Sequence, residues 1–154
     1  MTSLRIRHHV IDEVIAHARA DLPNECCGLL LGTEEEIDEV VRARNALQSP
    51  TRFYLDPADH FRAIRLARRT GRLVRASYHS HPKGPSHPSL TDAELLSDSD
   101  MLVVIVSLDG GPERTAPQTD GGPHPWRGPF GAASVGVFRW ADGNFARIDF
   151  VPVP

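Results

Sequence analysis

The chain is predicted to fold as an α/β sandwich around a mixed β-sheet. Two stretches with helical apolar spacing alternate with short, continuously apolar runs, glycines or prolines bound those runs, and a hairpin signal closes the sequence. With 154 residues, 40% hydrophobic and 24% charged, the composition is that of one globular domain spanning 1–154.

Ile11, Val14, Ile15 and Ala18 recur at helical spacing and Leu22-Pro23 closes the segment, so a first helix is expected over about 10–21. Cys27 to Gly32 is apolar without interruption, the pattern of a strand buried on both faces. Glu36 to Leu47 alternates weakly and reads as a more exposed strand, and Thr51 to Leu55 is a further short strand candidate. Asp56-Pro57 supplies an N-cap and a first-turn proline, and Gly71 a stop, for a second helix over about 57–70. Leu73 to His79 is a strand leading into a loop with Pro82, Pro85 and Pro88, followed by a short helix from about Leu90 to Ser97. Met101 to Leu108, the most apolar run, is expected at the centre of the sheet. The stretch 109–131 holds five prolines and six glycines and reads as a long surface loop. Ala133 to Trp140 and Phe145 to Val153 flank the hairpin signal Asp142-Gly143.

The net charge of −3 leaves no basic footprint, and the arginines between Arg62 and Arg75 fit a solvated helix face, so no nucleic-acid partner is expected. The only cysteines, Cys26 and Cys27, are adjacent and offer no disulfide framework, as in a reducing compartment. No apolar run has signal-peptide or transmembrane length, so the expected location is the cytoplasm, with no membrane partner.

His79 and His81 stand two apart at the end of a predicted strand, where a period of two sends both imidazoles to one face. Asp92 follows in the first turn of the next helix. Two histidines and a carboxylate suit zinc, and three protein ligands leave a fourth tetrahedral position open, as catalytic rather than structural sites do. Amide hydrolysis also needs a group that takes up and returns a proton; Glu25, just before the buried strand, is the candidate, and a cation beside it would hold it ionised. Plainer readings stand beside these. Ser89-x-x-Asp92 matches a helix capping box, and paired histidines are common on surfaces. Glu25 also fits a solvated residue before a strand, Cys27 a small buried filler, and Gly28 a point of close backbone packing. His87 has a spacing that fits no shared ligand geometry, while His8, His9, His17, His60 and His124 read as surface or helix-face residues. Trp126 and Phe130 read either as a docking patch or as residues buried against the sheet.

Glu25 with Cys27-Gly28, then His79-Ser80-His81, seven residues, Ser89, two residues and Asp92 together resemble the whole signature of the JAMM (MPN-plus) zinc metalloprotease family, over roughly residues 10–108. The resemblance implies a cytidine deaminase-like sandwich with helices on both sides of the sheet. It implies Glu25 as general acid/base, His79, His81 and Asp92 as zinc ligands, and Ser89 as the donor to the oxyanion. Short standalone prokaryotic-type members are most similar. They imply cleavage of a peptide or isopeptide bond at the C-terminal glycine of a ubiquitin-like or sulfur-carrier protein, removing a cysteine or protein adduct. The tail is expected along a sheet edge or groove walled by 82–88 and 109–131; a homodimer is left open. Two other functions are compatible with such a fold: a non-catalytic scaffold module, and a zinc nucleobase deaminase, whose Pro-Cys-x-x-Cys pair does not occur here.

Overall fold

Cys27 to Gly32 forms the strand around which the two helical layers are organised. The structure, a computed structural model, describes residues 3–92, 100–108 and 133–154. The expected 109–131 loop with Trp126, Phe130 and His124, and the 93–97 part of the short helix, lie outside the described residues; Leu90 to Asp92 are helical. The elements are β1 (Leu4–Arg7), α1 (His8–Ala20), β2 (Cys27–Gly32), β3 (Glu36–Ala43), α2 (Pro57–Thr70), β4 (Leu73–His81), β5 (Leu102–Ser107), β6 (Ser134–Ala141), β7 (Asn144–Arg147) and β8 (Phe150–Val153). Among the described residues the strands make one mixed sheet in the order β7-β6-β5-β4-β2-β3-β1-β8. β4 and β5 are parallel at its centre, and β2 runs antiparallel to β4.

Alternation along β2 decides which helix meets which residue. Leu30 joins Ala76, Tyr78 and Val104 under Val10, Ile11, Val14 and Ile15 of α1. Leu29 and Leu31 face the other way and pack with Val41 under Ala63 and Ala67 of α2. Each large aliphatic side chain so buried contributes about 1.5–3 kcal/mol. The helices therefore cover opposite faces, as expected. α2 begins and ends as its sequence predicts: the Asp56 side chain accepts from the Ala58 N–H at 2.8 Å, Pro57 follows, and Gly71 takes the left-handed C-cap at φ 69°. None of the helices among the described residues is long and apolar enough to cross a membrane.

Three expectations need correction. Residues 4–7, assigned no element, form β1, with Leu4 and Ile6 buried and Arg5 and Arg7 facing out. Thr51 to Leu55 contributes only a bridge between Asn45 and Leu55, because side chains of Asn45 and Ser49 capture the N–H groups of Tyr54, Thr51 and Arg52. The second arm of the hairpin is two strands: β7 pairs with β6, whereas β8 crosses to the opposite edge and runs parallel to β1. A local pattern announces a strand without naming its partner.

Candidate metal centre

The register between β2 and β4 brings the sequence-distant groups together. Cys27 lies opposite His79 and Gly28 opposite Tyr78, and the Ser80 N–H donates to the Cys26 carbonyl at 3.1 Å, carrying the ladder past the strand end. Two residues further along, Glu25 falls across from His81 on the face that carries both histidines. Its backbone is held from both sides: its N–H donates to the Ser49 carbonyl at 2.8 Å, and its carbonyl accepts from the Asn45 amide at 3.0 Å.

His79 and His81 point their Nε2 atoms at each other, 3.2 Å apart, and Asp92 closes the triangle with Oδ1 3.0 Å from His79 and Oδ2 3.1 Å from His81. All three residues are buried, and their donor atoms lie within 4.8 Å of one another. His81 Nδ1 lies 2.9 Å from the Pro85 carbonyl. A carbonyl only accepts, so Nδ1 carries the ring hydrogen and the neutral ring offers its Nε2 lone pair inward. His79 is oriented differently, by stacking on Phe53 with ring centroids 4.5 Å apart. Acceptors from the end of one strand, β4, and from the following helical turn thus converge on one point, which a single cation suits.

The electrostatics agree. Burial alone would raise the Asp92 carboxyl, yet the two imidazoles beside it and the hydrogen bond from the Ser89 N–H hold it well below the usual carboxylate range. Burial lowers His79 against the pull of Asp92, while His81 is raised despite burial because Asp92 favours a positive charge at its Nε2. Glu25 is pushed up to about 7 by burial, with Asp92 adding to the shift and His81 opposing it. Its Oε1 is buried and has no hydrogen-bond partner among the described residues. An unsatisfied carboxylate beside a cluster that attracts a cation is the arrangement a bound metal ion would relieve.

Both readings of Ser89 hold at once. Its N–H donates to Asp92 Oδ2 at 2.8 Å and its Oγ accepts from the Asp92 N–H at 3.1 Å, a reciprocal capping box. That hydroxyl keeps its own hydrogen and lines a cavity of about 570 Å³ with Glu25 and His81. His87, considered as a competing ligand, packs instead near Phe138, outside the three-residue group.

Three supporting residues escaped sequence reasoning. Buried Asn45 makes four hydrogen bonds, to Glu25, Leu47, Arg52 and Tyr54. Phe53 backs His79. His17, read as a surface or helix-face residue, is buried, with Nδ1 2.6 Å from the Tyr78 hydroxyl and Nε2 3.3 Å from Asp21, tying α1 to β4 behind the site. No local pattern marks these positions, since the partners that tie them to the site, Glu25 for Asn45, His79 for Phe53 and Tyr78 for His17, lie far along the chain.

The family model describing prokaryotic homologs of the JAB domain matches residues 7–119. The chain belongs to this JAB family. As a JAB-family protein it is similar to the CysO-cysteine peptidase of Mycobacterium tuberculosis, at 34% identity over 106 residues, 68% of this chain and 73% of that protein. It is 37% identical over 90 residues to the probable TtuB-protein conjugate cleaving protease of Thermus thermophilus, 58% of this chain and 60% of that one. The solution structure of a Desulfitobacterium hafniense protein superposes with a TM-score of 0.77 at 26% identity, covering 97% of this chain and 92% of that chain.

Proposed function

We infer that this JAB-family chain is a zinc-dependent peptidase. It hydrolyses the amide bond at the C-terminal glycine of a ubiquitin-like or sulfur-carrier protein and so removes a cysteine or protein adduct. One observation carries the reading: the β2–β4 register sets a buried, unsatisfied Glu25 beside the converging acceptors of His79, His81 and Asp92. The donor set, two imidazoles and one carboxylate, suits zinc and leaves a vertex for substrate. The names of the relatives, a CysO-cysteine peptidase in M. tuberculosis and a probable TtuB-protein conjugate cleaving protease in T. thermophilus, support the substrate class.

Bound by these three residues, zinc would polarise the scissile carbonyl and acidify water. Glu25 takes the proton from the attacking water and returns it to the leaving amine, the role its position at the cavity wall permits. The Ser89 hydroxyl, already accepting from the Asp92 N–H, donates its hydrogen toward the oxyanion. His79 and Asp92 stay fixed by Phe53 and the capping box.

The decisive comparison is between the wild type and Glu25→Gln, measuring zinc content and hydrolysis of ubiquitin-like proteins carrying C-terminal adducts. Both should bind one zinc per chain, and the variant should lose about 10²–10⁴-fold in turnover. Equal turnover removes Glu25 from the chemistry. Zinc bound equally well after His81→Ala removes the proposed ligand set.

A further inference from the structure

Lys83 is the chain's only lysine, and it lines the same cavity as Glu25, His81 and Ser89. The remaining walls are apolar or uncharged, from Leu22, Pro23, Pro50 and Pro82. Several basic side chains elsewhere pair with carboxylates of the fold: Arg7 with Glu36, Arg42 with Glu13, Arg62 with Asp59 and Arg72 with Asp38. Lys83 has no carboxylate partner among the described residues. It is a cation at a cavity whose other titratable walls are Glu25 and His81.

The loop that carries it is pinned. The Ser107 hydroxyl donates to the Gly84 carbonyl, His81 Nδ1 donates to the Pro85 carbonyl at 2.9 Å, and the Ser134 hydroxyl donates to Ser86 Oγ at 3.2 Å. Gly136 of β6 admits the loop so closely that a Cβ there would lie 2.7 Å from the Ser86 carbonyl oxygen. Pro82 before the lysine and Gly84 after it, at φ 97°, fix the turn from which the side chain emerges. The ammonium is therefore presented from a pre-organised backbone, although its own stem is mobile enough to follow a ligand.

We propose that Lys83 is a specificity-determining residue that binds the free α-carboxylate of a single amino acid leaving from the substrate's C-terminus. The inference rests on the peptidase reading above and deepens it. A cavity of about 570 Å³ lies in the range of small-molecule sites, roughly 300–1,000 Å³. Its apolar walls accept a small side chain, and its one unpaired cation accepts the negative charge that a C-terminal residue has at this point. An isopeptide-linked lysine of a folded protein has no carboxylate there. In hydrolysis the water adds to the scissile carbonyl, the C–N bond breaks, and the proton held by Glu25 passes to the departing amine. Lys83 exchanges no proton and forms no bond; it discriminates by charge alone.

The test uses a ubiquitin-like protein whose C-terminal glycine is extended by one alanine, prepared as the free acid and as the primary amide. Binding is measured with Glu25→Gln in the zinc-loaded full chain, and turnover with the wild type. With Lys83 present, the acid should bind about tenfold tighter than the amide, the effect of one charge-assisted hydrogen bond. Lys83→Met should erase that preference by weakening the acid alone, whereas Lys83→Arg should keep most of it. In turnover the Lys83→Met effect should fall on KM for the acid, with kcat little changed. Equal affinity for acid and amide in the parent overturns the assignment, and so does an equal loss for both in Lys83→Met, which marks contact with the carrier's surface. Discrimination in binding without wild-type hydrolysis of either form sinks the peptidase reading while leaving the carboxylate site standing.

Discussion

Glu25 shows how one side chain carries opposite demands. In the metal-free protein its carboxyl is raised from 4.5 to about 7, so the fold binds a proton that the unfolded chain has already released. The contribution to stability is intact below about 4.5 and is lost as pH rises through 7. Metal-free Glu25→Gln should therefore be more stable than metal-free wild type at pH 8, by on the order of 1 kcal/mol once solvent screening is allowed for, with the two converging near pH 4.5. Thermal melts of both proteins across that range measure it; identical pH profiles would show that Glu25 is solvated. Asn45 acts at the same scale. Truncation to alanine leaves the Glu25 carbonyl and the Tyr54 N–H without their partner, and should cost about 2–4 kcal/mol in urea unfolding, more than an exposed amide would.

At the scale of elements, β2 is confined at Gly28 between the Tyr78 ring of β4 and the Val41 carbonyl of β3. A Cβ on Gly28 would sit 2.4 Å from Tyr78 Cε1 and 2.5 Å from the Val41 carbonyl oxygen. Tyr78 is itself fixed by His17 on α1, so neither side can yield cheaply. Gly28→Ala should destabilise the protein by about 1–3 kcal/mol and, by shifting β2 against β4, weaken zinc retention as well. An unchanged urea midpoint would mean that the strands open without penalty. The sequence marks Gly28 as a point of close packing; what it packs against follows from the register.

For the molecule as a whole, the ion and the core make separate claims on stability. On the proposed zinc reading, an excess of about a hundredfold over Kd should add about 2.7 kcal/mol and raise the melting temperature, and His79→Ala or Asp92→Asn should abolish the rise. The adjacent thiols report on the core. Burial pushes Cys26 and Cys27 up to about 12, and thiolates are the reactive form. Iodoacetamide at pH 8 should label them only at the rate of unfolding; fast native labelling would place them nearer the surface.

The sequence by itself determined the central strands, the second helix with its caps, and the spacing of His79, His81, Ser89 and Asp92. Each depends on short-range periodicity or turn chemistry that a linear pattern records. It also marked Glu25 as a candidate without showing where that residue lies. Only the tertiary structure decided that Glu25 falls across from His81, that β8 leaves its hairpin for the far edge, and that His17, Asn45 and Phe53 support the site from behind. The physical reason is that pairing partner, register and burial are set by which surfaces meet when the whole sheet closes its core, and no local pattern carries that information.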